Sequence, residues 1–196
     1  MYRRTVASHG IDHEWERLMT EEAEIVDYRE DYLSSLRGHF SRHWLESGND
    51  GLHFLPFDLA RIERPQGFDA DLAFNDMTDR HWERLFLLLV NGVVRGHARL
   101  KNDPMDAGRH RCELGMGIES KWRGQGFGHA LLSRVAALAQ AAKHLQWLDL
   151  KVMAENAHAI GLYQEFGFQE VGRISDRFRI GGAAMDEISM VLYVGD

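Results

Sequence analysis

The densest group of residues able to do chemistry together is Trp122-Arg123-Gly124-Gln125-Gly126-Phe127-Gly128-His129. Glycines remove side chains, so several backbone N–H groups can converge on one anion. A helix starting there adds its partial positive charge. Arg123 brings a full charge suited to phosphate oxygens. The dinucleotide fingerprint does not fit, because its third glycine would fall on His129. The P-loop pattern fails too, since the chain has no Gly-Lys-Ser/Thr. What stands is Arg-x-x-Gly-x-Gly, which reads either as a phosphate cradle of another kind or as a glycine-rich turn without a ligand.

The cradle needs a strand before it and a helix after it. Residues 111–118 read as the strand, and the Ala/Leu-rich stretch 126–143 as the helix. Upstream, two apolar runs flank Asn91-Gly92, a strong hairpin signal. Downstream, 147–153 alternates as a strand and 156–166 reads as a helix. Residues 167–174 and 186–194 read as further strands. The second part of the chain is therefore ββ-β-α-β-α-β-β. Earlier, apolar residues at Ala23, Val26, Leu33, Leu36, Phe40 and Trp44 suggest one helix over 20–47, capped by Thr20. Glu21-Glu22-Ala23-Glu24 then forms its solvated first turn. A shorter helix precedes it at 12–19. Residues 52–57 read as a short strand or an apolar loop, and 64–67 as a turn.

The 196 residues carry a formal charge of −7, against a general nucleic-acid binder. The charge is uneven: residues 1–80 carry a net −8 and residues 81–196 a net +1. The single cysteine, Cys112, excludes an internal disulfide. The longest apolar run, 85–90, is too short to cross a bilayer, and no apolar run of signal-peptide length follows the first residues. These features point to a cytoplasmic protein without membrane contact. His39 and His43 have a spacing that can bind metal. Phe40 stands where a zinc-protease motif needs Glu, so no metal site is expected.

Three segments together resemble the GNAT N-acetyltransferase superfamily. The first is the Arg-x-x-Gly-x-Gly loop. The second is Asn156-Ala157-His158-Ala159-Ile160-Gly161-Leu162-Tyr163-Gln164-Glu165-Phe166-Gly167-Phe168. The third is Phe178-Arg179-Ile180-Gly181-Gly182 followed by Asp186-Glu187-Ile188-Ser189-Met190. The last is similar to endings in the branch of ribosomal-protein N-terminal acetyltransferases. The likeness covers about residues 84–194. It implies an α/β fold with a mixed central sheet whose strands splay apart, flanked by helices. All 196 residues would form one domain, with 1–80 on the acceptor side and 81–196 binding acetyl-CoA.

The resemblance also implies roles. Met116, Gly117 and Ile118 would pair with the pantetheine arm. Arg123, Gly124, Gln125, Gly126, Phe127, Gly128 and His129 would hold the pyrophosphate. Asn156 would contact the cofactor arm, although asparagine is also a good helix cap. Tyr163 would protonate the leaving thiolate, although it also reads as a core tyrosine. Glu113 is the candidate base for the incoming amine, or else a structural glutamate. Trp44, Phe54, Phe57 and Asp58 are candidate acceptor contacts. Acetyl-CoA is the expected co-substrate and a primary amine of a small molecule or protein N-terminus the acceptor. The acidic first part favours a cationic one, and relatives offer a homodimer as an analogy. The competing reading is a CoA-binding sensor or interaction module without turnover.

Overall fold

The computed structural model describes residues 22–49, 52–56, 70–103 and 105–195. Its frame is one seven-stranded sheet in the order β1-β2-β3-β4-β5-β7-β6. The strands are β1 (Ala23–Asp27), β2 (Glu83–Val90), β3 (Val93–Asn102), β4 (Arg111–Ile118), β5 (Trp147–Met153), β6 (Gln169–Ile180) and β7 (Ala183–Tyr193). Neighbours are antiparallel except β4 and β5, the parallel pair. The helices are α1 (Leu33–Leu45), α2 (Phe127–Ala141) and α3 (Ala157–Phe166).

The Asn91-Gly92 hairpin forms as expected, with Val90 paired to Val93. The expected 20–47 helix does not form as one element. Its first part is β1, paired antiparallel to β2 from Ala23–Val90 to Asp27–Phe86. Glu24 is therefore a strand residue, not part of a helix turn. The apolar spacing misled because the two faces of β1 pack on different cores. Ala23 and Ile25 lean on the main core, and Val26 leans on the second. Alternation with both faces covered imitates a helical period. A 3-10 turn at Glu30–Tyr32 separates β1 from α1. Residues 52–56 form no strand. The readings at 12–19 and 64–67, with Thr20, Phe57 and Asp58, lie outside the described residues. The last two strands run longer than expected. They meet at a two-residue turn, Gly181-Gly182, with Ile180 paired to Ala183.

Two layers cover the sheet. The main core joins β2–β5 and β7 to α2 and α3, through Phe86, Leu88, Ala98, Leu100, Leu114, Leu148, Leu150, Ile188 and Met190 against Leu131, Leu132 and Val135. A smaller core on the opposite face sets Leu36 of α1 against Leu85, Leu87, Leu89 and Val94.

Candidate active site

β4 and β5 form a fork. They pair only at Arg111–Trp147, Cys112–Leu148 and Glu113–Asp149. Beyond those rungs β4 stays bonded to β3 up to Ile118, and β5 to β7 up to Met153. The two inner edges therefore diverge from Leu114 and Leu150 onward. A gap between strand edges offers backbone donors and acceptors to an extended ligand, as in strand addition.

The glycine loop stands at the open end of β4. Gly124 and Gly126 adopt left-handed backbone, with φ of 70° and 83°, a conformation that costs glycine little. Gly126 is the N-cap of α2, and no side chain caps the helix. The orphan N–H groups of its first turn, Phe127 to His129, are thus left for an anion. Arg123 ties the loop to α1. Its Nε donates to Ile118 O at 2.8 Å, and its Nη2 donates to Glu46 Oε2 at 3.0 Å. Gln125 Nε2 donates to Lys121 O at 3.0 Å. His129 meets the edge of Phe166, joining α2 to α3.

Across the fork, Asn156 Oδ1 accepts from Ala159 N at 3.2 Å and caps α3. Its amide nitrogen is not used in that bond. Tyr163 is buried in the main core with its ring 5.6 Å from Phe168. Burial pushes its phenol up to about 12, so it keeps its proton at neutral pH. Met116 and Ile118 pack into the main core, while Gly117 faces α1. Glu113 sits on the last closed rung and is half-exposed, with an oxygen 3.0 Å from Lys101 Nζ. Cys112 is buried, and desolvation pushes its thiol up to about 12, which leaves it protonated and inert.

On the α1 face, Trp44 stacks on Phe40 with centroids 5.4 Å apart. Phe54 stacks on His43 at 4.6 Å, and the Arg123 guanidinium lies 5.2 Å from the Phe54 ring. The glycine loop and the candidate acceptor side thus meet at Phe54. Beneath it lies a cluster whose connections the sequence reading missed. His39 Nδ1 is 3.1 Å from Glu119 Oε1, and His39 Nε2 is 2.9 Å from His97 Nδ1. Arg42 and Arg95 donate to the same Glu119 carboxylate at 2.9 and 3.2 Å. His43 stacks on His39 and stands 3.5 Å from Glu46. A Cβ on Gly117 would run into His43 Nε2, so glycine is required for this close approach. The available signal was the i, i+4 pair His39/His43 together with the polar alternation Arg95, His97, Arg99 on β3. Only the fold shows that these two patterns face each other.

Burial holds all three imidazoles below their ordinary value. For His43, desolvation is joined by His39 and Arg123, which bring it to about 4. For His97, His39 and His43 act beside desolvation. For His39, Glu119 opposes desolvation but does not overcome it. Burial alone would raise the Glu119 carboxyl, yet hydrogen bonds from Arg42 and His39 hold it below the usual range. Among the described residues, no group of three or more His, Cys, Asp or Glu is arranged to hold a metal ion.

A fork in a mixed sheet, with a glycine loop leading from its open end into a helix, defines an acyl-CoA-binding class of fold. The model of the Acetyltransferase (GNAT) family matches residues 49–168, and the chain belongs to that family. It is 24% identical over 96 residues to an L-amino acid N-acetyltransferase of Escherichia coli, covering 49% of this chain and 59% of that protein. It is 33% identical over 78 residues to a spermidine N(1)-acetyltransferase of Vibrio cholerae, covering 39% and 45%. The matches thus span about half the length of these relatives. Among solved structures, a ribosomal-protein-alanine N-acetyltransferase from Brucella melitensis aligns with a TM-score of 0.67 at 23% identity, over 87% of this chain and 99% of that one. A phosphinothricin acetyltransferase from Sinorhizobium meliloti, in complex with acetyl-CoA, aligns at 0.70 and 20%, over 88% and 89%.

Proposed function

We propose that this protein transfers an acetyl group from acetyl-CoA to an amine nitrogen. The observation that carries this reading is the fork between β4 and β5, opening onto an uncapped helix start, in a chain of the GNAT family. The bound co-substrate would supply an acetyl thioester whose C–S bond breaks as the C–N bond forms.

The residues divide the work. The inner edge of β4 around Met116, Gly117 and Ile118 would hold the extended arm by backbone hydrogen bonds. The loop from Gly124 to His129 would take the pyrophosphate on its N–H groups. Arg123 would add charge there, although it shares that charge with Glu46. The Asn156 amide nitrogen would contact the arm while its oxygen caps α3. Tyr163 holds a proton at Oη for the departing sulfur. Cys112 is too firmly protonated to carry the acetyl group, which favours direct attack by the amine.

The acceptor we propose is a primary amine, and a cationic one. Residues 1–80 carry a net −8, enough to draw a cation by the local field. The similarity to a spermidine acetyltransferase runs the same way. Trp44 and Phe54 would line the acceptor side. No helix among the described residues is long and apolar enough to cross a membrane, and we place the protein in the cytoplasm on its single, buried cysteine.

The test is release of free thiol from acetyl-CoA with a panel of spermidine, amino acids and peptide N-termini. The expected result is turnover favouring polycations, with kcat/KM falling as salt rises. Tight acetyl-CoA binding without thiol release would replace this reading by that of a CoA-binding sensor. Preference for a neutral amine, insensitive to salt, would remove the cationic acceptor alone.

A further inference from the structure

The α1 face of the fork carries a directed chain of proton carriers. The Glu119 carboxylate accepts from Arg42 and Arg95, and His39 Nδ1 lies 3.1 Å from it. An ionised carboxylate only accepts hydrogen bonds, so His39 carries its proton on Nδ1. A neutral His39 then offers a lone pair at Nε2. His97 Nδ1, 2.9 Å away, must be the donor. That leaves a lone pair at His97 Nε2. His39 is fully buried, whereas His97 keeps part of its surface exposed. His97 is also the register partner of Gly117, and a Cβ there would stand 3.0 Å from His97 Cε1, the ring atom between Nδ1 and Nε2. The His97 ring, which carries the free lone pair, therefore lies against β4 at Gly117, beyond the last closed rung.

We propose that His97, His39 and Glu119 form a proton relay that removes the proton lost by the acceptor nitrogen during acetylation. The inference rests on the acetyltransferase reading above. An N–H bond of the acceptor breaks and its proton bonds to His97 Nε2. The His97 Nδ1 proton moves to His39 Nε2. His39 keeps its Nδ1 proton and becomes an imidazolium held against Glu119. After the product leaves, the transfers reverse and the proton passes from His97 Nε2 to water. Glu119 orients and stabilises without being protonated, as the carboxylate does in a Ser-His-Asp triad. His97 is then the catalytic residue, and His39 and Glu119 are positioning residues.

The charged and titratable neighbours are Arg42, His43 and Glu46 from α1, Arg95 and Arg99 from β3, and Arg123 from the glycine loop. Desolvation keeps both relay imidazoles neutral at pH 7, the state a base must have. Glu113, which the sequence offers as a candidate base or a structural glutamate, is half-exposed and paired with Lys101.

Two measurements test the relay. In the free protein, nitrogen-15 spectra of the imidazoles should show both His39 and His97 as Nδ1–H tautomers. A neutral Nε2–H form of His97 would overturn the proposal without any assay. In kinetics with an amine that the wild type acetylates, His97→Gln should lower kcat by about 10²-fold or more at pH 7. Its KM for acetyl-CoA should stay unchanged. The deficit should shrink toward pH 10, where hydroxide can take the proton in the relay's place, and Glu119→Gln should show a weaker form of the same profile. A deficit equal at every pH would mark a structural role and overturn the relay. So would a full loss in Glu113→Gln with normal turnover in His97→Gln. If the wild type acetylates no amine, the acetyltransferase reading fails and the relay falls with it. An active wild type with the wrong tautomers sinks the relay alone.

Discussion

The two faces of the central sheet are built on opposite terms. Under α2 and α3 the strands present an apolar layer of Phe86, Leu88, Ala98, Leu100, Leu114, Leu148 and Leu150, with the Arg134 guanidinium 5.3 Å from the Phe86 ring. Under and beside α1 the same strands present Arg95, His97, Arg99, Lys101, Glu113 and Asp149, with aliphatic packing confined to Leu85, Leu87, Leu89 and Val94. One face gains its stability from burial. The other spends burial on imidazoles and a carboxylate, which cost free energy unless each finds a partner. The difference teaches where to look for function in this fold. The dry face fixes the fork's geometry, and the polar face sets imidazoles and a carboxylate beside its open end.

The largest effect expected concerns Tyr163, the proposed proton donor. Tyr163→Phe should lower kcat by about 10²- to 10⁴-fold, the range for a lost general acid. The KM for acetyl-CoA and the thermal midpoint should move little, because the phenyl ring keeps its contact with Phe168. Steady-state kinetics on the purified variant decide it, and an unchanged kcat would return Tyr163 to a purely packing role.

Leu148→Ala strikes the dry face as structure. Leu148 is 1% exposed and pairs with Cys112 on a closed rung of the fork. Its truncation should cost about 2–5 kcal/mol in urea unfolding. Turnover per folded molecule should fall far less than for Tyr163→Phe. A large kinetic loss with small destabilisation would mean that the rungs gate the fork as well as support it.

Acid should find the polar face. His43 is neutral in the fold down to about pH 4, whereas an unfolded histidine takes its proton near 6.5. Below 6.5 the unfolded chain therefore binds more protons, and stability falls as pH falls. The contribution is complete above 6.5 and is lost progressively toward 4, amounting to about 3 kcal/mol for this ring. His39 and His97 act in the same direction. Glu119, lowered from 4.5, adds its loss only at still lower pH. Urea midpoints measured from pH 7.5 to 4.5 should decline through this window. A flat profile would mean that the rings titrate in the fold as they do in the unfolded chain.

Legibility in the sequence followed the same division. The glycine loop, the Asn91-Gly92 hairpin, α2 and α3 were readable because each is a local pattern with a local cause. The place of Tyr163 on α3 was readable because it sits inside a contiguous motif. The His39–His97–Glu119 chain was not, since its members lie on a helix, a strand and a loop up to 80 positions apart. Nothing in spacing along the chain encodes their contact. β1 was misread for a related reason: its two faces lean on different cores, and that is a fact about partners, not about Ala23–Asp27.

The smallest effect lies on the open part of the polar face, where Lys101 and Glu113 pair across β3 and β4. Both side chains are more than two-fifths exposed, at 42% and 43%. Such a pair gains little in water and loses side-chain entropy, so Lys101→Ala should cost less than about 1 kcal/mol. Its effect should also vanish at high salt. The contrast with Leu148→Ala measures how unequal the faces are. A cost above 2 kcal/mol would show that the charged rungs support the sheet as the aliphatic ones do. A negligible cost leaves that open face free of structural duty.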